Sequence, residues 1–165
     1  RTPRKQIQKK NNMFTINLGP FSGKNAPEIH YHPSAVDRLL EIAAAFCLLS
    51  GIGIVCWNYY HTDELPEYTI PGLLVNILVF ALLFSGAYTS VRHINFPIRI
   101  SSHNVVKQYI LVTKLMRTSN LFFMLFAVAG FLSDNYAWAT TLRIIALILW
   151  FLSVIIYYVW AFQYK

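Results

Sequence analysis

The lysines and arginines of this chain are distributed very unevenly between its apolar segments. Of 14 such residues, seven precede the first apolar run and five lie between the second run and the apolar core of the third. The connections at residues 61–71 and 133–138 carry no lysine or arginine. They contain acids instead: Asp63, Glu64, Glu67 and Asp134. Because basic segments stay on the cytoplasmic side of a bilayer, the pattern predicts an all-α polytopic membrane protein with four transmembrane helices and both termini cytoplasmic.

The composition agrees with this class. The chain is 56% hydrophobic and only 13% charged, whereas soluble domains are about 25% charged. The net charge of +7 lies beside the apolar runs, so we assign it to topology and to attraction to anionic lipids. We expect no nucleic-acid partner. The cytoplasmic (inner) membrane of a cell is the expected location.

Four apolar runs are the predicted spans, at about residues 42–60, 72–91, 110–132 and 138–162. Residues 1–37 are predicted to form a basic polar tail, and residues 38–165 the transmembrane domain. The third run is uninterrupted for only 12 residues, which is too short to cross about 30 Å of hydrocarbon. Its first half is therefore predicted to be an amphipathic helix near the inner surface, beginning at Ser101 or Ser102.

Basic side chains on the inner side are the candidate contacts for lipid or for a protein partner. At about 100° per residue, Lys107, Lys114 and Arg117 fall on one side of the third helix. Arg92 and Arg99 precede that helix and extend the same surface.

Arg143 is the exception, because it lies near the outer end of the fourth span. We interpret it as part of an outer charge network with Asp134, Glu64 and Glu67, either snorkelling or joining the two external loops by an ion pair. The alternative is an outward-facing site for an anionic or peptidic ligand.

Glu41 is the other charge near a membrane boundary. Small multidrug exporters depend on a membrane-embedded glutamate in the first of four short spans, so proton coupling must be considered. Here Glu41 precedes the apolar run and follows Arg38 by three residues. That spacing favours a solvated residue at the start of a helix, beside Arg38.

The sequence indicates no enzyme, no cofactor and no metal site. Cys47 and Cys56 are nine residues apart on one helix, which places them on opposite faces and prevents a disulfide between them. His30 and His32 lack further ligands. No motif of a catalytic nucleophile or phosphate loop is present.

Small residues recur every four positions in the first two spans. Ala43, Cys47 and Gly51 do so in the first, and Gly86 and Ser90 in the second. Such faces let helices approach closely. We expect them to pack one subunit; a homo-oligomer or a partner helix is the alternative.

Several segments resemble a widespread bacterial membrane domain of unknown function, over roughly residues 27–120. The first motif is a leucine–proline pair followed by an isoleucine–proline pair after the first span, here Leu65, Pro66, Ile70 and Pro71. The second follows the second span, and its positions here are Asn95, Phe96, Pro97, Asn104, Gln108, Tyr109, Met116 and Arg117.

The external loop departs from that family. Relatives usually follow the second proline with a histidine or similar residue and then a loop containing glycine and aspartate, whereas Pro71 passes directly into GLLVNILVF. The same domain occurs in a bacterial immunity protein that protects against a secreted peptide toxin and holds a repressor at the membrane. The resemblance implies an immunity or sensing role, and the departure puts any ligand-binding loop in doubt.

We therefore expect a non-catalytic integral membrane protein, an immunity, sensing or accessory factor with a basic cytoplasmic surface. The alternative is a small transporter or transporter subunit that uses Arg143 and polar helix residues such as Asn76.

Overall fold

A computed structural model describes residues 21–29, 31–62, 66–133 and 136–164. The described chain is essentially all-helical, with four helices: α1 (Ala35–Thr62), α2 (Thr69–Gly86), α3 (Val105–Leu132) and α4 (Ala137–Gln163). Each is long and apolar enough to cross a membrane. The predicted fold class, a four-helix membrane protein, is confirmed.

The second span sets the thickness of the bundle. α2 has 18 residues and is about 27 Å long, close to the roughly 30 Å of hydrocarbon. It includes Pro71 in its first turn, where proline is tolerated, and it ends at Gly86 rather than at the expected Val91. The other three helices have 27 or 28 residues and extend beyond it.

The two ends of the bundle differ. At the end that we call the basic end, α1 and α3 begin and α2 and α4 end. Strand β1 (Phe21–Ser22) pairs there with the antiparallel strand β2 (Asn95–Phe96). Residues 21–29, 31–34 and 87–104 thus form a cap over the helices, and part of the predicted tail of residues 1–37 belongs to this cap. Both ends of the described chain lie at the basic end.

The main apolar core lies beneath the cap rather than at the centre of the bundle. Its buried members come from the cap, from the first turns of α3 and from the last turns of α4: Val91, Phe96, Val105, Tyr109, Leu111, Val112, Tyr157 and Ala161. Large apolar side chains elsewhere on α1, α2 and α4 are exposed, with Phe46 and Leu49 both above 60%. A lipid environment accounts for such faces, because apolar patches of this extent are rarely exposed to water.

Helix α3 is central and packs against each of the other three helices. It begins at Val105, after Asn104, whose side-chain oxygen accepts a hydrogen bond from the Ser101 N–H at 2.8 Å. The start expected at Ser101 or Ser102 was early by about three residues. The first half of α3 is amphipathic: one side is buried under the cap, where the fully buried Gln108 donates to the Ala161 carbonyl at 2.9 Å, and the other side leaves Lys107 and Lys114 exposed.

The small-residue positions pack within this one chain. A Cβ added at Gly51 would lie 3.5 Å from the Phe131 ring, and one added at Gly86 would lie 3.6 Å from the Met116 sulfur. Both contacts are with α3 of the same chain.

Candidate functional site

Charged and polar side chains are buried where α1 enters the bundle. The Asp37 carboxylate accepts hydrogen bonds from the Ser34 N–H and hydroxyl, both at 2.8 Å, and Ser34 accepts the Asp37 N–H at 3.3 Å. This reciprocal arrangement is a capping box with an acid at the third helical position. The Tyr31 hydroxyl donates to the same carboxylate oxygen, and Asp37 is only 1% exposed.

Glu41 lies one turn further along α1, on the same face as Asp37. Its carboxylate accepts a hydrogen bond from the Arg117 Nε of α3 at 2.6 Å, and the two side chains are 14% and 1% exposed. The Tyr88 hydroxyl donates to both Glu41 oxygens, at 2.8 and 2.9 Å. The interpretation of Glu41 as a solvated residue beside Arg38 was wrong, because this face of α1 turns toward α3.

The guanidinium of Arg117 lies between two aromatic rings. Its central carbon is 5.2 Å from the Tyr88 ring centroid and 5.8 Å from that of Tyr31, within the range of a cation–π contact. We call Tyr31, Asp37, Glu41, Tyr88 and Arg117 the buried charge cluster, after its two buried charges, Asp37 and Arg117. Tyr31 and Glu41 are partly buried, and Tyr88 is 52% exposed. The cluster joins α1, α3 and both cap segments.

The buried charge cluster carries a net charge and contains polar atoms that lack a hydrogen-bond partner in the described part of the chain. Two carboxylates face one guanidinium, so it carries a net charge of −1 when all three groups are ionised. Among the described residues, neither Oδ1 of Asp37 nor Nη1 of Arg117 has a hydrogen-bond partner. A buried polar atom without a partner is costly, and intramembrane charges are generally functional.

Tyr31 remains a hydrogen-bond donor over a wide pH range. Burial, and then its hydrogen bond and proximity to the Asp37 carboxylate, raise the pKa of the Tyr31 phenol above its usual value. Its proton therefore stays available to hold Asp37.

A cleft of about 260 Å³ opens beside the buried charge cluster at the basic end. Its lining includes Glu28, Tyr31, His32, Tyr88, Ser90 and Tyr109. Tyr31 and Tyr88 belong to both the cleft and the cluster, so they separate Arg117 from the cleft.

Comparison of the chain with protein-family models, curated proteins and solved structures found no match.

Four of the five basic candidates are exposed at the basic end: Arg92, Arg99, Lys107 and Lys114. The Arg92 Nε donates to the Ala26 carbonyl at 3.4 Å, and the Lys107 ammonium lies 4.8 Å from the Tyr164 ring centroid. Arg117 is the exception at 2% exposure. Ten residues of helix place it about 80° around the axis from Lys107, which is enough to turn it inward, away from lipid headgroups or a partner.

Arg143 lies at the opposite end and is half-buried. Its guanidinium is 4.7 Å from the Phe126 ring centroid and packs beside Gly130 of α3. Within the described residues it makes no ion pair with Glu67; Asp134 and Glu64, the other predicted members of its network, lie outside them.

The described residues include no group of three or more histidine, cysteine or acidic side chains that could hold a metal ion. His32 is exposed, and His30 lies outside the described residues. Cys47 and Cys56 are both free thiols, as their positions on one helix predicted.

The buried charge cluster was not predicted from the sequence, although the sequence contains two signals of it. Ser34 and Asp37 have the spacing of a capping box, which begins α1 seven residues before the first apolar run. Asp37 and Glu41 are four residues apart on a helix that becomes buried, so they require a cation nearby. No local pattern pointed to Tyr31 or Tyr88, which come from two separate cap segments.

Proposed function

We propose that this chain is a non-catalytic integral membrane protein of a bacterial cytoplasmic membrane, where it acts as an immunity, sensing or accessory factor. Its basic end would face the cytoplasm, with both termini on that side, and would contact anionic lipid and a protein partner. The observation that carries the proposal is the exposure of Arg92, Arg99, Lys107 and Lys114 at one end of the bundle, around a packed cap.

The position of these cations supports the orientation. Positive side chains that flank spans favour the cytoplasmic side, and each one near an anionic surface contributes about 1 kcal/mol of attraction. The resemblance to the bacterial membrane domain described above, over roughly residues 27–120, adds the suggestion of immunity or sensing.

The interior of the bundle favours an interaction role over transport. Transporters place polar groups around a substrate site near the midplane. Here the cavity beside Asn76, between α1, α2 and α3, measures about 10 Å³, room for about one water. Its neighbours are apolar or small, including Gly51, Met124 and Phe131.

One observation favours the alternative of a small transporter. Asp37 is a buried carboxylate and Glu41 a partly buried one in the first span, and both lie near Arg117 of the third. Acids within membrane helices serve proton coupling in pumps and transporters. Substrate-dependent flux in proteoliposomes that contain this chain alone, abolished by Glu41→Gln, would support transport and contradict the accessory role.

The proposed role is tested by crosslinking and copurification from bacterial membranes. The quadruple variant R92Q/R99Q/K107Q/K114Q removes the exposed cations without touching the buried charge cluster. We expect a stoichiometric partner to copurify with the wild-type chain and to be lost with the variant. Arg143→Gln, which removes a cation at the opposite end, should retain the partner.

Circular dichroism and thermal unfolding must first show that the quadruple variant is folded. A partner retained equally by wild type and by the quadruple variant would contradict the assignment of the basic end as the binding surface.

A further inference from the structure

The cleft at the basic end lies at the level of the lipid headgroups. Ala87, Tyr88 and Ser90 line it and directly follow Gly86, the last residue of α2. Since α2 is about as long as the hydrocarbon layer is thick, the cleft begins where the hydrocarbon ends. Its volume of about 260 Å³ is many times the roughly 30 Å³ that one water occupies in the liquid.

The tyrosines of the cleft offer hydrogen-bond acceptors and no donors, whereas His32 and Ser90, which also line it, can still donate. The hydroxyl groups of Tyr31, Tyr88 and Tyr109 already donate, to Asp37, to Glu41 and to the Thr89 carbonyl respectively. A phenol has a single O–H donor, so toward a ligand these oxygens can only accept.

The charges around the cleft also favour a cationic ligand. Glu28 lines the cleft, is exposed, and makes no hydrogen bond or ion pair with a described residue. Behind the tyrosines, Asp37 and Glu41 outnumber Arg117 by one charge, and Oδ1 of Asp37 has no described partner. The cleft is thus a local acidic site within an otherwise basic surface.

We propose that this cleft binds a primary ammonium group, that of the phosphatidylethanolamine headgroup. The ammonium would donate to Glu28 and to the tyrosine oxygens. Arg92 does not line the cleft, but it follows Ser90 by two residues and its Nε donates to the Ala26 carbonyl, two residues before Glu28. Its remaining guanidinium N–H groups would donate to the adjoining phosphate.

A quaternary ammonium fits this site less well. Choline has no N–H to donate, and the rings that would otherwise attract it, Tyr31 and Tyr88, already face the Arg117 guanidinium. The site should therefore prefer ethanolamine over choline lipids. Of the exposed cations proposed to bind a partner, this site shares only Arg92.

The test is native mass spectrometry of the full chain in detergent with phosphatidylethanolamine, phosphatidylcholine or phosphatidylglycerol of matched acyl chains. We expect phosphatidylethanolamine to be retained at least about threefold more than phosphatidylcholine. Glu28→Gln should lower retention of phosphatidylethanolamine about threefold to fivefold, the size expected for one partly exposed charge pair. It should leave phosphatidylglycerol retention unchanged or higher, because it removes a negative charge.

Glu67→Gln is the matched control, since Glu67 is an exposed acid at the opposite end. Displacement of phosphatidylethanolamine by free ethanolamine would assign recognition to the ammonium alone, and failure of displacement would assign it to the whole lipid headgroup. Equal retention of ethanolamine and choline lipids, or an equal loss with Glu67→Gln, would overturn the proposal.

Discussion

The ion pair between Glu41 and Arg117 should be strongly coupled energetically. Removing one partner of a buried pair leaves an uncompensated charge and costs about 3–5 kcal/mol. Arg117→Met would leave Glu41, whose side chain is 14% exposed, and the nearby Asp37 without their cation. We expect Arg117→Met and Glu41→Leu each to lower the free energy of unfolding by about 3–5 kcal/mol.

The double variant E41L/R117M should be much less damaging than the sum of the two single changes. It removes both charges, and replacing a buried pair by apolar residues is often close to neutral. Two costs remain: the hydrogen bond of the exposed Tyr88 hydroxyl, about 0.5–1.5 kcal/mol, and the loss of the nearby guanidinium by Asp37, which keeps its hydrogen bonds from Ser34 and Tyr31. The coupling energy from this cycle should therefore be several kcal/mol.

The assay is unfolding of the purified chain in bicelles by titration with sodium dodecyl sulfate, followed by tryptophan fluorescence. Lys114→Gln is the control, because Lys114 is an exposed cation on α3 three residues from Arg117; it should change stability by no more than about 0.5 kcal/mol. If the double variant loses as much as both single variants together, or if Arg117→Met behaves like Lys114→Gln, the pair does not stabilise the bundle as described.

Three further predictions follow from single positions. A Cβ at Gly23 would lie 2.0 Å from the Val91 carbonyl oxygen, so Gly23→Ala should cost about 1–3 kcal/mol or more by displacing the cap; Gly53→Ala, where a Cβ would meet nothing within 4 Å, should be neutral or stabilise by up to about 1 kcal/mol in the same assay. With Cys47 and Cys56 replaced, a membrane-impermeant maleimide added to intact spheroplasts should label Glu67→Cys but should label His103→Cys only after permeabilisation; the reverse would invert the proposed orientation. Arg143→Leu should lose only the cation–π contact with Phe126, about 0.5–2 kcal/mol, and a loss as large as that of Arg117→Met would show that another contact dominates.

The periodic and compositional features of this protein could be predicted from its sequence. Four long apolar runs specify four membrane helices because hydrocarbon tolerates no unpaired backbone polar group. Boundaries were less predictable. The second helix stops at Gly86 rather than at the predicted Val91, and Val91 belongs to the core beneath the cap.

The basic residues also separate what the sequence predicts from what only the structure shows. Lys107, Lys114 and Arg117 looked equivalent as cations at one edge of an apolar run. The rotation of about 80° between Lys107 and Arg117 matters only once the neighbours of α3 are known, and those neighbours bury one cation and leave the others exposed.

The amino-acid sequence alone thus determined the class of this protein, since hydrophobic length and the placement of charge act locally along the chain. Tertiary structure decided which charges meet. Glu41, Tyr88 and Arg117 come from three separate elements, and their contact depends on how α1, α3 and the cap pack. A buried carboxylate and guanidinium stabilise the fold only when that packing brings them within hydrogen-bond distance, and no local pattern encodes that distance.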